Sequence, residues 1–325
     1  MARQMGSHIA FLLKPESVYG TLPTGNWERV PILDFDPGTA SDIVEDPVIG
    51  FGHRESVDVF RGPISYKPKV TVPMDLNNSG YWLKYLFGNY AVTGAGPYTH
   101  VFTAGATSIL PSLALEAGYP DANGGAGVYF DYTGVSVDTA ALDLSPTGAT
   151  KMVLSLIAQK ETKNTATQGG TPASQVYTPF SQLQGSFLIG AAGSTTPAAA
   201  VGNIIGATLN VTNALDAQPG VSSGGLILGA DAGLLKITGD VTVRFDSTAV
   251  YDDAIAATNI SLLFGYDIDV SNSLHIVMPR VAIGRHSPVI KGPAGVDVKI
   301  PFHAQRDTGS SASVIATLIN SVATY

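Results

Sequence analysis

Residues 150–162 read TKMVLSLIAQKET, and residues 296–308 read VDVKIPFHAQRDT. Met152, Leu154, Leu156 and Ala158 alternate with polar positions in the first stretch, as Val298, Ile300, Phe302 and Ala304 do in the second. A period of two marks a strand with one buried face. Both strands run into the same tail, Ala-Gln followed by a basic residue, an acidic residue and Thr.

A second pair of segments stands upstream in the same order. KVTVPMD (69–75) and DVTVRFD (240–246) put Val70, Val72 and Met74, or Val241, Val243 and Phe245, on one face. Each leads into a stretch read as helical, NNSGYWLKYLFG (77–88) and STAVYDDAIAATNISLLFG (247–265), and both close on Leu-Phe-Gly. Gly88 and Gly265 suit the left-handed residue that ends a helix. Before each VTV strand come a strand and a long polar loop, with VPILDFD (30–36) in the first half and IIGATLNVTNALD (204–216) in the second. The pattern predicts a tandem duplication of one β-rich domain. The first copy spans 1–162 with an insertion at about 89–127, and the second spans 180–325. Between them KNTATQGGTPASQVYTP (163–179) has the composition of a linker.

The whole chain agrees with a β protein. Apolar residues make up 45% of the 325 and charged residues 14%, while Gly (36) and Pro (20) are frequent. That mix suits short strands and many turns. The formal charge of −8 argues against a protein that holds nucleic acid by neutralising phosphates. With no cysteine, disulfides, thiolate metal sites and Cys nucleophiles are excluded. The apolar run Ile9–Leu13 is too short for a secretory signal, and no stretch has the 18 apolar residues of a membrane span. The expectation is synthesis in the cytosol, with neither cleavage nor membrane insertion.

No catalytic constellation emerges. The six histidines (His8, His53, His100, His275, His286 and His303) contain no i, i+4 pair, and HExxH is absent. Asp34-Phe-Asp36 and Asp267-Ile-Asp269 begin like calcium loops but lack the Gly and acidic residue that such loops need further on. Asp252-Asp253 reads as a pair of acids favoured at a helix start. Gly124-Gly125 and Gly224-Gly225 lack the phosphate-loop Lys. Tyr81, Trp82, Tyr85 and Phe87 read as core or subunit interface before ligand platform. The expectation is therefore no enzyme, no metal and no cofactor.

The Asp-Pro-Gly loop at 36–38, the strand and helix of PKVTVPMDLNNSGYWLKYLFG and the closing MVLSLIAQKE strand together resemble the tail tube proteins (major tail proteins) of long-tailed bacteriophages, in the larger subclass. The likeness is clearest at 60–90, 126–162 and 234–308. It implies an all-β fold with short helices, a duplicated β-sandwich that contributes strands to an intersubunit β-barrel. It implies a trimeric ring with pseudo-six-fold symmetry, stacked into a hollow tube. It also implies partners: the tape-measure protein, tail terminator and distal tail proteins, and double-stranded DNA in transit. The place of action is the virion tail, assembled in the host cytoplasm. Another tail component (terminator, baseplate hub or sheath-like subunit) and a β-rich adhesin or carbohydrate-binding module are the alternatives.

Two expectations about surfaces follow. The polar faces of the paired strands (Lys69, Thr71, Asp75, Asp240, Thr242, Arg244 and Asp246, with Glu161 and Asp307 in the tails) are candidates to line a lumen whose acidic groups repel phosphate. The loops 37–62 and 214–233 are candidates for packing between rings or subunits, because they carry Val48, Ile49, Phe51, Val57, Val59, Phe60, Leu226 and Ile227.

Overall fold

The structure, a computed structural model, describes residues 3–45, 55, 58–105, 109–144, 150–200, 204–220, 225–244, 256–288 and 295–325. The first half contributes β1 (Ala10–Pro15), β2 (Glu28–Arg29), β3 (Asp34–Asp36), β4 (Thr39–Glu45), β5 (Val59–Tyr66) and β6 (Lys69–Pro73). Then come α1 (Ser79–Phe87), β7 (Asn89–Thr93), β8 (Tyr98–Thr103), β9 (Leu113–Tyr119), β10 (Val128–Leu144), β11 (Lys151–Ile157) and β12 (Lys160–Asn164). After β13 (Ala173–Ser174), the second half runs through β14 (Gly185–Ala191), β15 (Ala199–Ala200), β16 (Ile204–Thr212), β17 (Asp216–Pro219) and β18 (Ile227–Asp231). It continues with β19 (Lys236–Arg244), β20 (Ile260–Asp269), β21 (Asn272–Ile283), β22 (Asp297–Ala304) and β23 (Ile315–Asn320). The fold is all-β, a sandwich.

In the first half β1, β9, the start of β10 and β12 form one layer. The end of β10 with β11, β6 and β3 forms the other. β10 serves both layers by bending between Tyr132 and Val135, where its register shifts. Gly134 sits in that bend at φ +63°, and a Cβ there would lie 2.7 Å from the Gln159 side chain. The second half repeats the network. β14, β20, the start of β21 and β23 pair in that order, and the end of β21 pairs with β22, then β19, then β16. The registers coincide as well. Val70↔Leu154 and Val72↔Met152 in the first half answer to Val241↔Ile300 and Val243↔Val298 in the second. Phe35↔Val70 answers to Ala207↔Val241. In each half a two-stranded hairpin, β4–β5 or β17–β18, rises between the two strands of that last pair.

The alternation read from the sequence gives the core: Val70, Val72, Met74, Met152, Leu154, Leu156, Val241, Val298, Ile300 and Phe302 are all buried. Val243 is half-buried, and Phe245 lies outside the described residues. Between the layers Phe35 meets Phe11 (centroids 5.0 Å) and Tyr132 (5.8 Å). α1 is buried on every side except at Lys84, and it ends at Gly88 with φ +80°, as the sequence predicts. Trp27 and Trp82 are core residues.

Three expectations change. Within 247–265, the described part that was read as helical holds strand β20, and Gly265 is interior to it. Its Leu262, Phe264 and Tyr266 alternate into the core, and pairing with β14 and β21 on both edges overrides local propensity. Asp252 and Asp253 lie outside the described residues. The supposed insertion holds an integral strand, since β9 pairs with β1 as β20 pairs with β14, and it also holds the β7–β8 hairpin. That hairpin joins the other half, β8 pairing with β23 from Tyr98↔Asn320 to Thr103↔Ile315. The 163–179 stretch is a strap bonded onto the first half. Trp27 N–H donates to Gly169 O (3.0 Å), Asn77 Nδ2 to Val176 O (2.8 Å) and Phe180 N–H to Met74 O (3.0 Å).

The strap covers two acids that face each other on β9 and β10. Asp131 stands opposite Glu116, and both are fully buried. Glu116 accepts from Thr167 Oγ1 and Gln168 N–H, each at 2.6 Å. Asp131 Oδ2 accepts from Asn164 Nδ2 (2.5 Å), while Oδ1 meets no donor. Desolvation first, and then the charge of Glu116, push Asp131 up to about 7. A carboxyl raised in the folded state favours folding at low pH, so this contribution falls away as pH climbs from about 4 to about 7, at about 1.4 kcal/mol per pKa unit. Asp131→Asn stays uncharged at every pH and sets an N–H donor opposite Glu116 in place of one oxygen. Melting at pH 5 and pH 8 is expected to show the variant gaining on the wild type only at pH 8. An equal difference at both pH values overturns this.

Candidate functional site

The second face of the long sheet is open. β10 of the first half and β16 of the second pair edge to edge, from Thr139↔Thr212 to Leu144↔Ala207. One continuous sheet therefore runs β3–β6–β11–β10–β16–β19–β22 across both halves. Residues opposite the core alternate onto one side of it. They include Lys69 and Thr71 on β6, Lys151 and Ser155 on β11, Asp143 on β10, Asp240, Thr242 and Arg244 on β19, and Asp297, Lys299 and His303 on β22, all exposed or half-exposed.

Charge on this face is balanced among the described residues. Asp34, Asp36, Asp143, Asp240 and Asp297 stand against Lys69, Lys151, Lys236, Arg244 and Lys299. Neighbours pair: Arg244 Nε lies 2.9 Å from Asp297 Oδ1, and Lys299 Nζ 3.1 Å from Asp240 Oδ2. Asp240 Oδ2 also accepts from Thr208 Oγ1 (2.7 Å). Exposed pairs of this kind add about 0–1 kcal/mol each; their effect is to cancel the field of the face.

Lys69, Thr71, Asp240, Thr242 and Arg244 lie on this face, whereas Asp75, Glu161 and Asp307 do not. Asp75 is fully buried in the turn before α1, past the end of β6. Its Oδ1 accepts from Asn77 N–H (2.8 Å), Asn78 N–H (2.9 Å) and Asn78 Nδ2 (3.0 Å), and desolvation raises its pKa. Asp307 is buried under its own turn, taking Ser310 N–H (2.7 Å) and Ser310 Oγ (2.9 Å), bonds that hold its pKa below the ordinary value. Glu161 belongs to β12 in the other layer and accepts from Thr39 Oγ1 (2.8 Å). The period-two reading carried each strand past the point where its backbone turns. Asp246 lies outside the described residues.

The two hairpins differ. Among the described residues β4–β5 pairs with the body at its base, where Tyr66 bridges Ala158, and it is exposed along nearly its whole length. It shows Ile43 (70% exposed), Val44, Val59, Phe60 (56%) and Ile64 to solvent. Val48, Ile49, Phe51 and Val57 fall outside the described residues. β17–β18 instead lies against the body: Leu226 and Ile227 are half-buried, and Gln159 Nε2 donates to Ile227 O (2.9 Å).

A cluster that the sequence did not reveal locks the halves together. His100 is buried between Tyr90 Oη on Nδ1 (3.0 Å) and Asn320 Oδ1 and Val322 O on Nε2 (3.1 and 2.8 Å). Burial lowers its pKa. Tyr325 stacks edge-on against Tyr81 (4.9 Å) and His100 (4.8 Å), and Lys84 Nζ donates to its carbonyl oxygen.

Among the described residues, no three His, Asp or Glu side chains come together as metal ligands, and no helix is long and apolar enough to cross a membrane. An uncharged-on-balance sheet face and an apolar arm are equipment for association. Comparison with known families agrees: the sequence model of the phage tail tube protein family matches residues 6–304. No curated protein matches the chain. With nearly its whole length covered, the chain belongs to the phage tail tube protein family, a structural component of the virion tail.

Proposed function

We propose that this protein polymerises into stacked rings that form the hollow tail tube, encloses the tape-measure protein during assembly and conducts double-stranded DNA at ejection. The tail terminator and distal tail proteins would meet its two ends. The observation that carries this reading is the β10–β16 joint, where two halves with matching ladders and registers share one sheet. That match supports a tandem duplication, with domains at 1–162 and 180–325. Three such chains joined head to tail would make a ring of six similar units, and closure would remove the sheet edges that otherwise invite uncontrolled pairing.

In this reading the balanced face lines the bore. A narrow channel focuses any net field. Equal numbers of opposite charges, four of them paired, leave little net field to focus, so the polyanion is neither held nor expelled. Negative-stain microscopy of the purified protein tests the proposal. Rings of three chains, or tubes built from them, are expected. Monomers at every concentration and salt condition would count against it.

A further inference from the structure

We propose that the turn leading into α1 binds Ca²⁺, with Asp75 Oδ2 and the side-chain oxygens of Asn77 and Asn78 as its protein ligands. The site belongs to the folded subunit and does not depend on the assembly proposed above.

The turn leaves three side-chain oxygens unused. Asp75 Oδ1 accepts from the N–H groups of Asn77 and Asn78 and from Asn78 Nδ2. Asp75 Oδ2, Asn77 Oδ1 and Asn78 Oδ1 are sealed from solvent, and no donor among the described residues reaches any of them. The three residues are 0%, 7% and 2% exposed. Turning the amides over does not remove the mismatch. Asn77 Nδ2 donates to Val176 O (2.8 Å) and Asn78 Nδ2 to Asp75 Oδ1 (3.0 Å), so each oxygen is assigned by the bond its own nitrogen makes.

Leaving one buried acceptor unmet costs about 1–3 kcal/mol, and here three crowd a single turn. All three are acceptors, so whatever meets them must donate protons or carry positive charge. A single water has two hydrogens, one too few. The charge is uncompensated as well: among the described residues no Lys, Arg or His forms an ion pair with Asp75. Buried charges are paired or coordinate metals. One carboxylate with two amide oxygens is a hard ligand set of the kind Ca²⁺ takes, with water or backbone carbonyls completing about six to eight positions. The helix end carries about half a positive charge, which opposes a cation. Oδ1 already answers that end, and the full charge of the carboxylate outweighs it.

The surroundings give the ion a way in and a task. Asn78 lines the groove between the layers together with Gln175 and Tyr177. Leu76 N–H donates to Thr178 O (2.8 Å) in the strap, Leu76 O accepts from Asn320 Nδ2 (2.7 Å) on β23, and Asp75 bridges Pro179. An ion in this turn therefore fastens α1, the strap and β23 to one another.

The test uses the purified wild-type protein, stripped with EDTA and titrated with Tb³⁺ while tyrosine and tryptophan are excited. Tyr81, Trp82 and Tyr85 on α1 are close enough in sequence to sensitise an ion in the turn. The expected result is terbium emission that saturates at a single ion per chain and is displaced by Ca²⁺, with a higher melting temperature in Ca²⁺ than in EDTA. Asp75→Asn removes the ligand charge and is expected to weaken binding by about tenfold or more. Asn77→Ala leaves the backbone cap in place and takes over if Asp75→Asn does not fold. Asp269→Asn, in an exposed turn bonded to Ser271 and Asn272, is the control and leaves binding unchanged. Wild-type protein with neither sensitised emission nor a Ca²⁺-dependent melting shift overturns the inference and assigns the three oxygens to water. Emission unchanged in Asp75→Asn or Asn77→Ala overturns it too, because the ion then sits elsewhere.

Discussion

Deleting residues 42–58 is expected to leave a folded subunit that no longer grows into long tubes. The described bonds that tie the β4–β5 hairpin to the body, Tyr66 bridging Ala158 and Thr39 Oγ1 donating to Glu161, lie at its base outside the deletion, so removal of 42–58 takes away little that holds the subunit together. Ile43, Val44, Val59, Phe60 and Ile64 are exposed on it, an apolar surface that a free hairpin seldom carries. Burying one such side chain contributes about 1.5–3 kcal/mol. Covering several at each contact between subunits is enough to decide whether a tube elongates. Ile43→Ser with Phe60→Ser is the milder form and should shorten tubes without lowering the melting temperature of the free subunit. Sedimentation and microscopy read the assembly, and circular dichroism reads the fold. Tubes of normal length from the deletion variant would require another role for the arm.

Asp75→Lys is expected to abolish folding. The carboxylate is fully buried and accepts three hydrogen bonds that start the turn into α1. A lysine there buries an ammonium among donors and strands the Asn77 and Asn78 N–H groups. Breaking a buried charged arrangement in this way costs about 3–5 kcal/mol, a large part of the stability of a domain. Asp75→Asn keeps an acceptor and should fold with a smaller loss. Soluble expression and urea melts separate the two. If the Lys variant melts like the wild type, Asp75 must reach solvent.

These two sites show where the sequence was legible. Alternation placed Val70, Val72, Leu154 and Ile300 in the core and Lys69, Thr71, Thr242 and Arg244 opposite, because a half-buried strand writes its two faces into every second residue. Gly88 was legible because only a residue free of Cβ strain ends a helix at that angle. Asp75 was misread because alternation says nothing of where a strand stops. The β10–β16 joint and the β8–β23 pairing left no trace, since edge pairing is made by backbone groups that every residue carries. The buried pair of Glu116 and Asp131 was equally silent: two acids far apart in sequence meet only through register.

The β8–β23 pairing also sets a timetable. Residues 98–103 must wait for residues 315–320, so the sheet of the second half is completed by a strand made some two hundred residues earlier. Contacts of such long separation are slow to form, because the chain entropy of the intervening loop must be overcome first. At about 5–20 residues per second, a ribosome needs tens of seconds to add the missing stretch. Until then the nascent chain lacks β23 and the clamp of Tyr325 against α1. A nascent chain short of residue 320 therefore cannot present a finished subunit to a growing polymer, and joining is deferred until β23 has been made.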